Sequence, residues 1–290
     1  MVSQLIVSGA DAAAIRQATE SSADAVVIDL ADSVPPDEKG TVRAQAVSLL
    51  RTLNWGDKRT VVRINRLDTP WAYADLKYVV QEAADCLHAV AVPDVRRPAD
   101  LYAVDALLSQ VSRNGSAHRR LGIEAHIGLD LEGGPAAVSA IVEATPLLDA
   151  LVIYPGEWAG LLWQREQAWV PDGFPSHGSD VLERVHALLA AAQARQLPVV
   201  DGPPSPHATE GDVWRACRLS LGIGMSGKQC WKEEHARIIR NVFAPWDTDL
   251  PLSLRRLQEY ALATGGEPAA VALRHSEGGG ITLLPPWARG

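Results

Sequence analysis

Short apolar runs rich in β-branched residues recur along the chain, and each is followed by an amphipathic or alanine-rich stretch. Eight such runs lie at residues 4–9, 25–31, 60–65, 88–93, 122–131, 150–155, 197–202 and 221–228. Runs of this kind indicate buried strands, and the stretches between them indicate helices. Strands that alternate with helices predict a parallel sheet with right-handed crossovers.

The number of strand–helix units separates two α/β folds. Eight units within about 250 residues fit a closed (β/α)8 TIM barrel. The alternative is an open doubly wound sheet, which usually has a glycine-rich turn after its first strand. The first turn here reads SGADA and contains no GxGxxG motif. We therefore predict a TIM-barrel domain over residues 1–245.

The last part of the chain, residues 246–290, departs from this repeat. The segment PLSLRRLQEYALATG predicts one more helix, and a glycine- and proline-rich segment, SEGGGITLLPPWARG, follows it. We predict that this C-terminal extension packs as a lid over the barrel or exchanges between neighbouring subunits.

Composition narrows the class of protein. Hydrophobic residues make up 47% of the chain and charged residues 21%, which are ordinary globular values. A net charge of −8 argues against binding to nucleic acid or to an anionic membrane. The three cysteines, Cys86, Cys217 and Cys230, are too few and too far apart for a disulfide scaffold. We expect a cytoplasmic protein, because the sequence shows neither a signal-peptide pattern nor a membrane-spanning apolar run.

The active site of a TIM barrel lies at the carboxyl ends of its strands, so polar residues there are candidates for chemistry. They are Asp29, Asp32, Arg63, Asn65, Asp94, Asp130, Glu132, Glu157, Asp201, Ser226 and Lys228. Carboxylates that converge on one barrel mouth repel each other unless a cation or a shared proton relieves them. Oxygen ligands without a cysteine or histidine cluster suit Mg²⁺, and Arg63 suits a substrate carboxylate. Alternatively, Asp29, Asp201 and Arg63 form a purely structural ion network.

Alternation along the fifth predicted strand places polar residues inside the barrel. Residues 123, 125, 127 and 129 form an apolar face suited to the surrounding helices, so Glu124, His126, Gly128 and Asp130 face the barrel axis. A buried glutamate and histidine are costly unless they are paired. One interpretation is that Glu124 and His126 satisfy each other. The other is that His126 lies under the active site and relays protons.

Several segments resemble a known family. ADAVVIDLADSVPPDEKGTVR, VVRIN, VAVPDVRRPADLYAVDALL, VVDGP and MSGKQCWKEEHARIIRNVFAP are similar to segments of the HpcH/HpaI aldolase/citrate lyase family. Within that family the chain resembles the citrate lyase β-subunit-like branch, which includes malyl-CoA and citramalyl-CoA lyases. The similarity extends from about residue 4 to residue 245 and implies a TIM barrel.

The resemblance also implies roles for individual residues. Asp130 and Glu157, which are 27 residues apart, match the family's two metal-binding carboxylates with glutamate and aspartate exchanged. Arg63 matches the arginine that binds the substrate carboxylate, and Asp32 matches the aspartate of the "LED" segment. The implied cofactor is Mg²⁺, and the implied assembly is a homotrimer or another homo-oligomer.

The chain also departs from the family pattern. Asp94 stands where the family has a lysine, and Lys232 stands where it has a histidine. The stretch GGGITLLPP lacks the acidic residue of the family's C-terminal lid, and the early IVSGADAA lacks the basic residues that follow the corresponding family segment. The last two changes argue against the family's usual lid chemistry and its usual mode of CoA binding.

These observations lead to a functional hypothesis. We predict a Mg²⁺-dependent carbon–carbon lyase or aldolase that acts on a small β-hydroxy or α-keto acid, or its CoA thioester, through a stabilised enolate. The candidates for the general base are Asp32, Asp94, His126 and Lys232.

The substrate contacts and the reaction type leave alternatives open. Arg63, Asn65, Trp158 and Trp231 are the predicted substrate contacts, although tryptophans also commonly fill helix–barrel packing or a subunit interface. Alternative activities are thioester hydrolysis, decarboxylation or elimination in the same site. A non-catalytic relative that binds a small acid is a further alternative, which titration with metal and ligand would distinguish.

Overall fold

A computed structural model describes residues 2–113, 120–128, 130–132, 135–155, 178–244, 272–275 and 281–284 of the 290-residue chain. Eight parallel strands close into a barrel in sequence order, with the last strand paired to the first. They are β1 (Ser3–Ser8), β2 (Ala25–Asp29), β3 (Arg59–Arg63), β4 (Ala89–Val95), β5 (Gly122–Ile127), β6 (Leu148–Ile153), β7 (Val199–Asp201) and β8 (Gly227–Cys230). The prediction of a TIM barrel is confirmed, and the alternative of an open sheet is wrong.

Helices surround the barrel in the described parts of the chain. They are α1 (Ala12–Ala18), α2 (Lys39–Thr52), α3 (Ala72–Ala83), α4 (Pro98–Arg113), α5 (Pro135–Glu143), α6 (Gly178–Ala194), α7 (Glu210–Gly222) and α8 (Glu233–Phe243), with a short 3₁₀ turn at Ala84–Cys86. None of the described helices is both long enough and apolar enough to cross a membrane.

Local sequence signals explain where several helices begin. The Asp11 carboxylate accepts hydrogen bonds from the first N–H groups of α1, and Thr209 and Asp212 form a reciprocal capping box at α7. Helix α4 begins at Pro98, where the missing N–H costs nothing. These caps fix the helix starts that follow the strand ends.

Two predicted strand boundaries were wrong. The apolar run at 221–228 was predicted to be one strand, but Leu221 and Gly222 end helix α7, and Gly224 turns the chain with a φ of 99°. Such a backbone conformation favours glycine. The predicted strand at 122–131 ends at Ile127, so Asp130 lies in the loop that follows β5.

The C-terminal extension is described only in part. Strands β9 (Ala272–His275) and β10 (Ile281–Leu284) form an antiparallel pair, which the prediction of a glycine- and proline-rich segment did not include. The helix predicted from PLSLRRLQEYALATG lies outside the described residues.

The barrel interior contains a small apolar cluster and a polar layer. Ile6, Val27, Val61, Ala89 and Ala91 form the apolar cluster, and a much larger apolar core fills the space between strands and helices. Branched and small apolar side chains of this kind fill part of the barrel interior, as in TIM barrels generally.

The polar layer centres on Glu124, which is fully buried. Its carboxylate accepts hydrogen bonds from the Gln4 amide at 3.1 Å and from Arg59 Nε at 3.2 Å. Gln229 in turn donates to the Gln4 side-chain oxygen at 2.8 Å. The interpretation that Glu124 and His126 satisfy each other is therefore wrong, because residues at the amino-terminal side of the barrel bind the glutamate instead.

We expect Glu124→Gln to change the pH dependence of stability. Burial raises the pKa of the Glu124 carboxyl, although Arg59 and Gln4 oppose this shift. The folded protein therefore keeps this proton at pH values where the unfolded chain has lost it, so the glutamate's contribution to stability falls as the pH rises above its usual pKa. The variant should gain free energy of unfolding relative to wild type as the pH rises above the usual pKa of a glutamate, as measured by urea unfolding.

Glu20→Gln, at an exposed position, is the control for the loss of one carboxylate. A difference between wild type and Glu124→Gln that stays constant or shrinks with rising pH would contradict the raised pKa.

Candidate active site

A cleft of about 990 Å³ opens at the carboxyl ends of the barrel strands. We call it the mouth cleft. Its polar lining comprises Asp32, Arg63, Arg66, Asp94, Arg96, His126, Asp130, Tyr154, Asp201, Ser220, Lys228 and Gln229. Its volume lies at the upper end of the range typical of small-molecule sites, which is roughly 300 to 1,000 Å³.

Arg63 and Asp29 form the buried ion pair of the cleft. Their backbones are direct neighbours in the pairing of β2 with β3, and Arg63 Nε lies 3.1 Å from Asp29 Oδ1. Asp32 also contacts the Arg63 guanidinium, but its carboxylate is 83% exposed. Burial lowers the pKa of Arg63, but Asp29, Tyr154 and Asp32 outweigh that effect and leave the pKa raised. Arg63 is therefore a permanent cation at the mouth.

The loop after β2 holds Asp29 rigidly. The Asp29 carboxylate accepts hydrogen bonds from the backbone N–H groups of Ala31 at 2.9 Å and Ser33 at 3.1 Å. Lys39 Nζ donates to the backbone oxygens of Leu30 and Ala31 at 2.9 and 2.6 Å. These contacts fix the loop that carries Asp32 next to Arg63.

A second ion cluster lies at the end of β4. Asp94 accepts a two-pronged contact from Arg96, at 3.0 and 2.6 Å, and lies 2.9 Å from Arg66. Its backbone has a φ of 58°, in the left-handed region that aspartate tolerates better than most residues. A Cβ at position 128 would collide with the Asp94 carboxylate, so Gly128 leaves the space that this cluster occupies.

His126 and Tyr154 form a hydrogen-bonded pair in the cleft. Tyr154 Oη lies 2.6 Å from His126 Nδ1 and 3.5 Å from Gln229 Oε1. His126 is 2% exposed, and its buried Nε2 has no hydrogen-bond partner among the residues that the structure describes. Burial, followed by the nearby Arg63 charge, holds the pKa of His126 well below its usual value. The imidazole is therefore neutral at physiological pH.

Asp201 belongs to a separate ion pair. It contacts Lys228 Nζ and the Ser220 hydroxyl of helix α7, between the barrel wall and that helix. The structural network that was considered for Asp29, Asp201 and Arg63 is therefore wrong as one unit, although Asp29 and Arg63 do pair.

Other residues predicted for the site lie in different surroundings. The Asn65 amide donates to the Leu30 oxygen at 2.9 Å and to Asp75 at 2.6 Å, and it does not line the mouth cleft. Lys232 is exposed at the start of helix α8 and also lies outside the cleft lining. Trp231 is 39% exposed and does line it.

The predicted metal ligands are only partly described. Asp130 is exposed and lines the cleft, whereas Glu157 lies outside the described residues, as do Trp158 and Trp163. Among the residues that the structure describes, no three histidine, cysteine, aspartate or glutamate side chains come together as a metal-binding group. Binding of Mg²⁺ by Asp130 and Glu157 stays a prediction.

The predicted site residues did not include Arg66, Arg96 and Tyr154, which also line the cleft. Arg66 and Arg96 follow Arg63 and Asp94 closely in the chain, and Tyr154 follows directly on strand β6. The same rule that selected strand-end residues would have found them, had it been extended by a few positions and to tyrosine.

Comparison with known proteins decides the family. The sequence profile of the HpcH/HpaI aldolase/citrate lyase family matches residues 3–232. The chain belongs to this family. The resemblance seen in the sequence motifs is thereby confirmed, and with it the relation to the citrate lyase β subunit.

Similar proteins are named for two different activities, a lyase and a thioesterase. An L-malyl-CoA/beta-methylmalyl-CoA lyase of Cereibacter sphaeroides is 31% identical over 253 residues, which is 84% of this chain and 79% of that protein. A (3S)-malyl-CoA thioesterase of the same species is 28% identical over 258 residues, which is 89% of this chain and 82% of that protein.

A solved structure shows the same fold. The citrate lyase beta subunit of M. tuberculosis, complexed with oxaloacetate and magnesium, has a TM-score of 0.59 and 19% identity. The match covers 84% of this chain and 96% of that one. Magnesium is thus present in a structurally similar protein of this family.

We expect Asp94→Asn to increase the affinity of this family member's cleft for a small dianion such as oxalate. Asparagine tolerates the left-handed backbone, and the substitution removes the negative charge between Arg66 and Arg96. The affinity measured by calorimetry should rise about threefold to tenfold at low salt and should rise less at high salt.

Glu82→Gln is the control, since Glu82 pairs with Arg51 and does not line the mouth cleft. An unchanged or weaker affinity of Asp94→Asn for oxalate would show that the two arginines do not contribute to anion binding.

Proposed function

We propose that this protein is a Mg²⁺-dependent carbon–carbon lyase that cleaves a β-hydroxy acid or its CoA thioester to a small keto or aldehyde acid and an acyl product. The observation that carries the proposal is Arg63, a rigid, permanently charged guanidinium that opens onto a deep barrel-mouth cleft. Its partner Asp29 is buried, so the guanidinium is held at one position before any ligand enters.

Arg63 has one partner that a ligand can replace. Asp29 is fixed by backbone N–H groups, but the Asp32 carboxylate is mostly exposed and can turn to water. A substrate carboxylate entering the cleft would take the place of Asp32 on the guanidinium. Arg63 would thereby bind and orient the acid without leaving Asp29 unpaired.

The donor set at the mouth is compatible with a hard cation. Asp29 and Asp94 are held by arginines, and the family resemblance assigns the metal to Asp130, which lines the cleft, and Glu157. Mg²⁺ commonly uses one or two carboxylates and completes its shell with water and substrate oxygens. When bound, the ion would supply positive charge to stabilise an enolate oxygen.

The size of the cleft favours a thioester over a free acid. At about 990 Å³ it exceeds the space that a four-carbon acid needs. Its lining continues from the charged mouth to apolar residues of α7 and the segments flanking β8, namely Leu219, Ile223, Met225 and Trp231. Leu219 is 70% exposed, so this part of the lining offers an apolar surface to the longer arm of an acyl thioester.

Thioester hydrolysis is the second candidate function. It is favoured by the relative named (3S)-malyl-CoA thioesterase, which is almost as similar to this chain as the lyase. Both reactions need Arg63 to bind the substrate carboxylate, but they give different products. A lyase yields an acyl thioester, whereas hydrolysis yields the free hydroxy acid and a thiol.

We infer that the protein forms a homo-oligomer, as the family resemblance implies. The apolar C-terminal segment ITLLPPW is the part of the chain that would suit exchange between subunits. Sedimentation of the full chain would measure its mass directly.

Binding of Mg²⁺ and a keto acid should depend on both Asp130 and Arg63. In calorimetric titrations with pyruvate, glyoxylate and oxaloacetate, wild type should bind more tightly with Mg²⁺ than without it. Asp130→Ala should remove this metal dependence, and Arg63→Lys should weaken binding about tenfold or more because lysine cannot make the two-pronged contact. Glu132→Ala is the control, since Glu132 is a nearby exposed carboxylate that pairs with Arg97.

Loss of the metal dependence in Glu132→Ala instead of Asp130→Ala would show that the ligand has been assigned to the wrong carboxylate. Binding that ignores both the metal and Arg63 would contradict the proposed site.

Product analysis separates the two candidate functions. With malyl-CoA and Mg²⁺, we expect wild type to release glyoxylate and acetyl-CoA, detected by mass spectrometry, because a lyase breaks the carbon–carbon bond. Malate and free CoA would instead assign the protein to the hydrolases. Cleavage of neither bond across a panel of β-hydroxyacyl-CoA thioesters and free β-hydroxy acids would overturn the proposed function.

A further inference from the structure

None of the four predicted base candidates is well placed to take a proton from a substrate. Asp94 is engaged by Arg66 and Arg96, and the Asp32 carboxylate pairs with Arg63 and is 83% exposed. Lys232 lies outside the lining of the mouth cleft, and His126 is almost entirely buried. A lyase reaction nevertheless needs a group that accepts the proton of the substrate hydroxyl.

Tyr154 lies at the required place. It lines the mouth cleft at the carboxyl end of β6, in the same cleft as the Arg63 guanidinium that would hold the substrate carboxylate. Its ring passes over Gly202, where an added Cβ would lie only 2.8 Å from Tyr154 Cε1. The missing side chain at Gly202 therefore allows the phenol to reach the cleft.

The hydroxyl of Tyr154 has a proton acceptor behind it. The distance of 2.6 Å to His126 Nδ1 is that of a strong hydrogen bond, whereas the 3.5 Å to Gln229 Oε1 is at the limit of one. We therefore assign the phenolic proton to the bond with His126 Nδ1. The neutral imidazole then carries its own proton on the buried Nε2.

We propose that Tyr154 is the catalytic residue that takes the proton of the substrate hydroxyl, and that His126 is the positioning residue that receives the phenolic proton in return. This inference rests on the proposed lyase function. It assigns to this chain a proton-transfer pair that the sequence motifs did not include.

The proton and electron movements balance without another reactant. The hydroxyl proton of the β-hydroxy acid moves to the Tyr154 oxygen as the phenolic proton moves to His126 Nδ1. The carbinol carbon becomes a carbonyl, the carbon–carbon bond breaks, and its electron pair forms an enolate on the acyl fragment. The proton then returns from His126 through Tyr154, and the enolate carbon is protonated to give the acyl product.

Substrate binding would make this transfer easier. Burial and the Arg63 charge both lower the pKa of His126, which keeps its Nδ1 lone pair available in the free protein. A substrate carboxylate on Arg63 would offset the second of these effects and so favour the brief imidazolium. Arg63 is the charged group that acts on His126 in the free protein.

The first test uses Tyr154→Phe, which removes only the hydroxyl. We expect kcat to fall about 10²-fold to 10⁴-fold, while KM and the calorimetric affinity for pyruvate change less than about threefold. Tyr73→Phe, at an exposed position on helix α3, is the matched control and should keep wild-type kinetics.

The second test distinguishes a His126 that accepts the phenolic proton from a His126 that only holds Tyr154 in position. His126→Gln keeps a hydrogen-bond acceptor for the Tyr154 hydroxyl but cannot take up its proton. We expect kcat to fall with little change in KM or thermal stability. If His126 had only a structural role, glutamine would restore most of the activity.

The third test needs no turnover. Nitrogen-15 NMR of histidine-labelled protein distinguishes the two neutral tautomers. We expect the His126 proton on Nε2, with a shift of the Nδ1 resonance in Tyr154→Phe. A proton found on Nδ1 would overturn the proposed route, because the histidine could not then accept the phenolic proton.

The outcomes distinguish this inference from the proposed function. Carbon–carbon cleavage by wild type that survives in Tyr154→Phe would overturn the inference alone. Wild-type protein that cleaves none of the β-hydroxy substrates would overturn the proposed function and this inference with it.

Discussion

The ion pair of Asp29 and Arg63 organises the mouth of this barrel. A guanidinium that is nearly buried is stable only beside a partner that is buried with it. The register of β2 against β3 sets these two residues side by side, so barrel closure itself fixes the position of the charge. The site therefore rests on sheet geometry instead of on a flexible loop, and this is what a preorganised binding group requires.

The three arginines that line the mouth cleft differ in how firmly they are held. Arg63 has one buried and one exposed carboxylate partner, whereas Arg66 and Arg96 share Asp94 and are partly exposed. The charges of these arginines and their aspartate partners therefore nearly cancel before a ligand binds, which lowers the free-energy cost of burying them. An acid can still displace Asp32, the exposed partner of Arg63. Asp94 is balanced by two neighbours of opposite charge, Arg66 and Arg96.

The sequence predicted the architecture well and the site partly. Eight alternating units sufficed for the barrel, because strand periodicity is a local signal that tertiary packing here did not override. The rule that chemistry lies at strand ends predicted Arg63, Asp94 and Asp130, and alternation along the fifth strand predicted His126; all four line one cleft. Pairing could not be predicted, because whether Glu124 contacts His126 or Arg59 depends on the stagger between strands. The prediction of Lys232 as a site residue did not place it in the cleft, because Lys232 is exposed to solvent at the start of α8.

The close approach of Tyr154 to Gly202 has an evolutionary consequence. The aromatic ring occupies the space that any side chain at position 202 would need. A tyrosine at 154 in this conformation therefore requires glycine at 202. The glycine constrains which side chains the tyrosine position can carry, and the tyrosine in turn prevents replacement of the glycine.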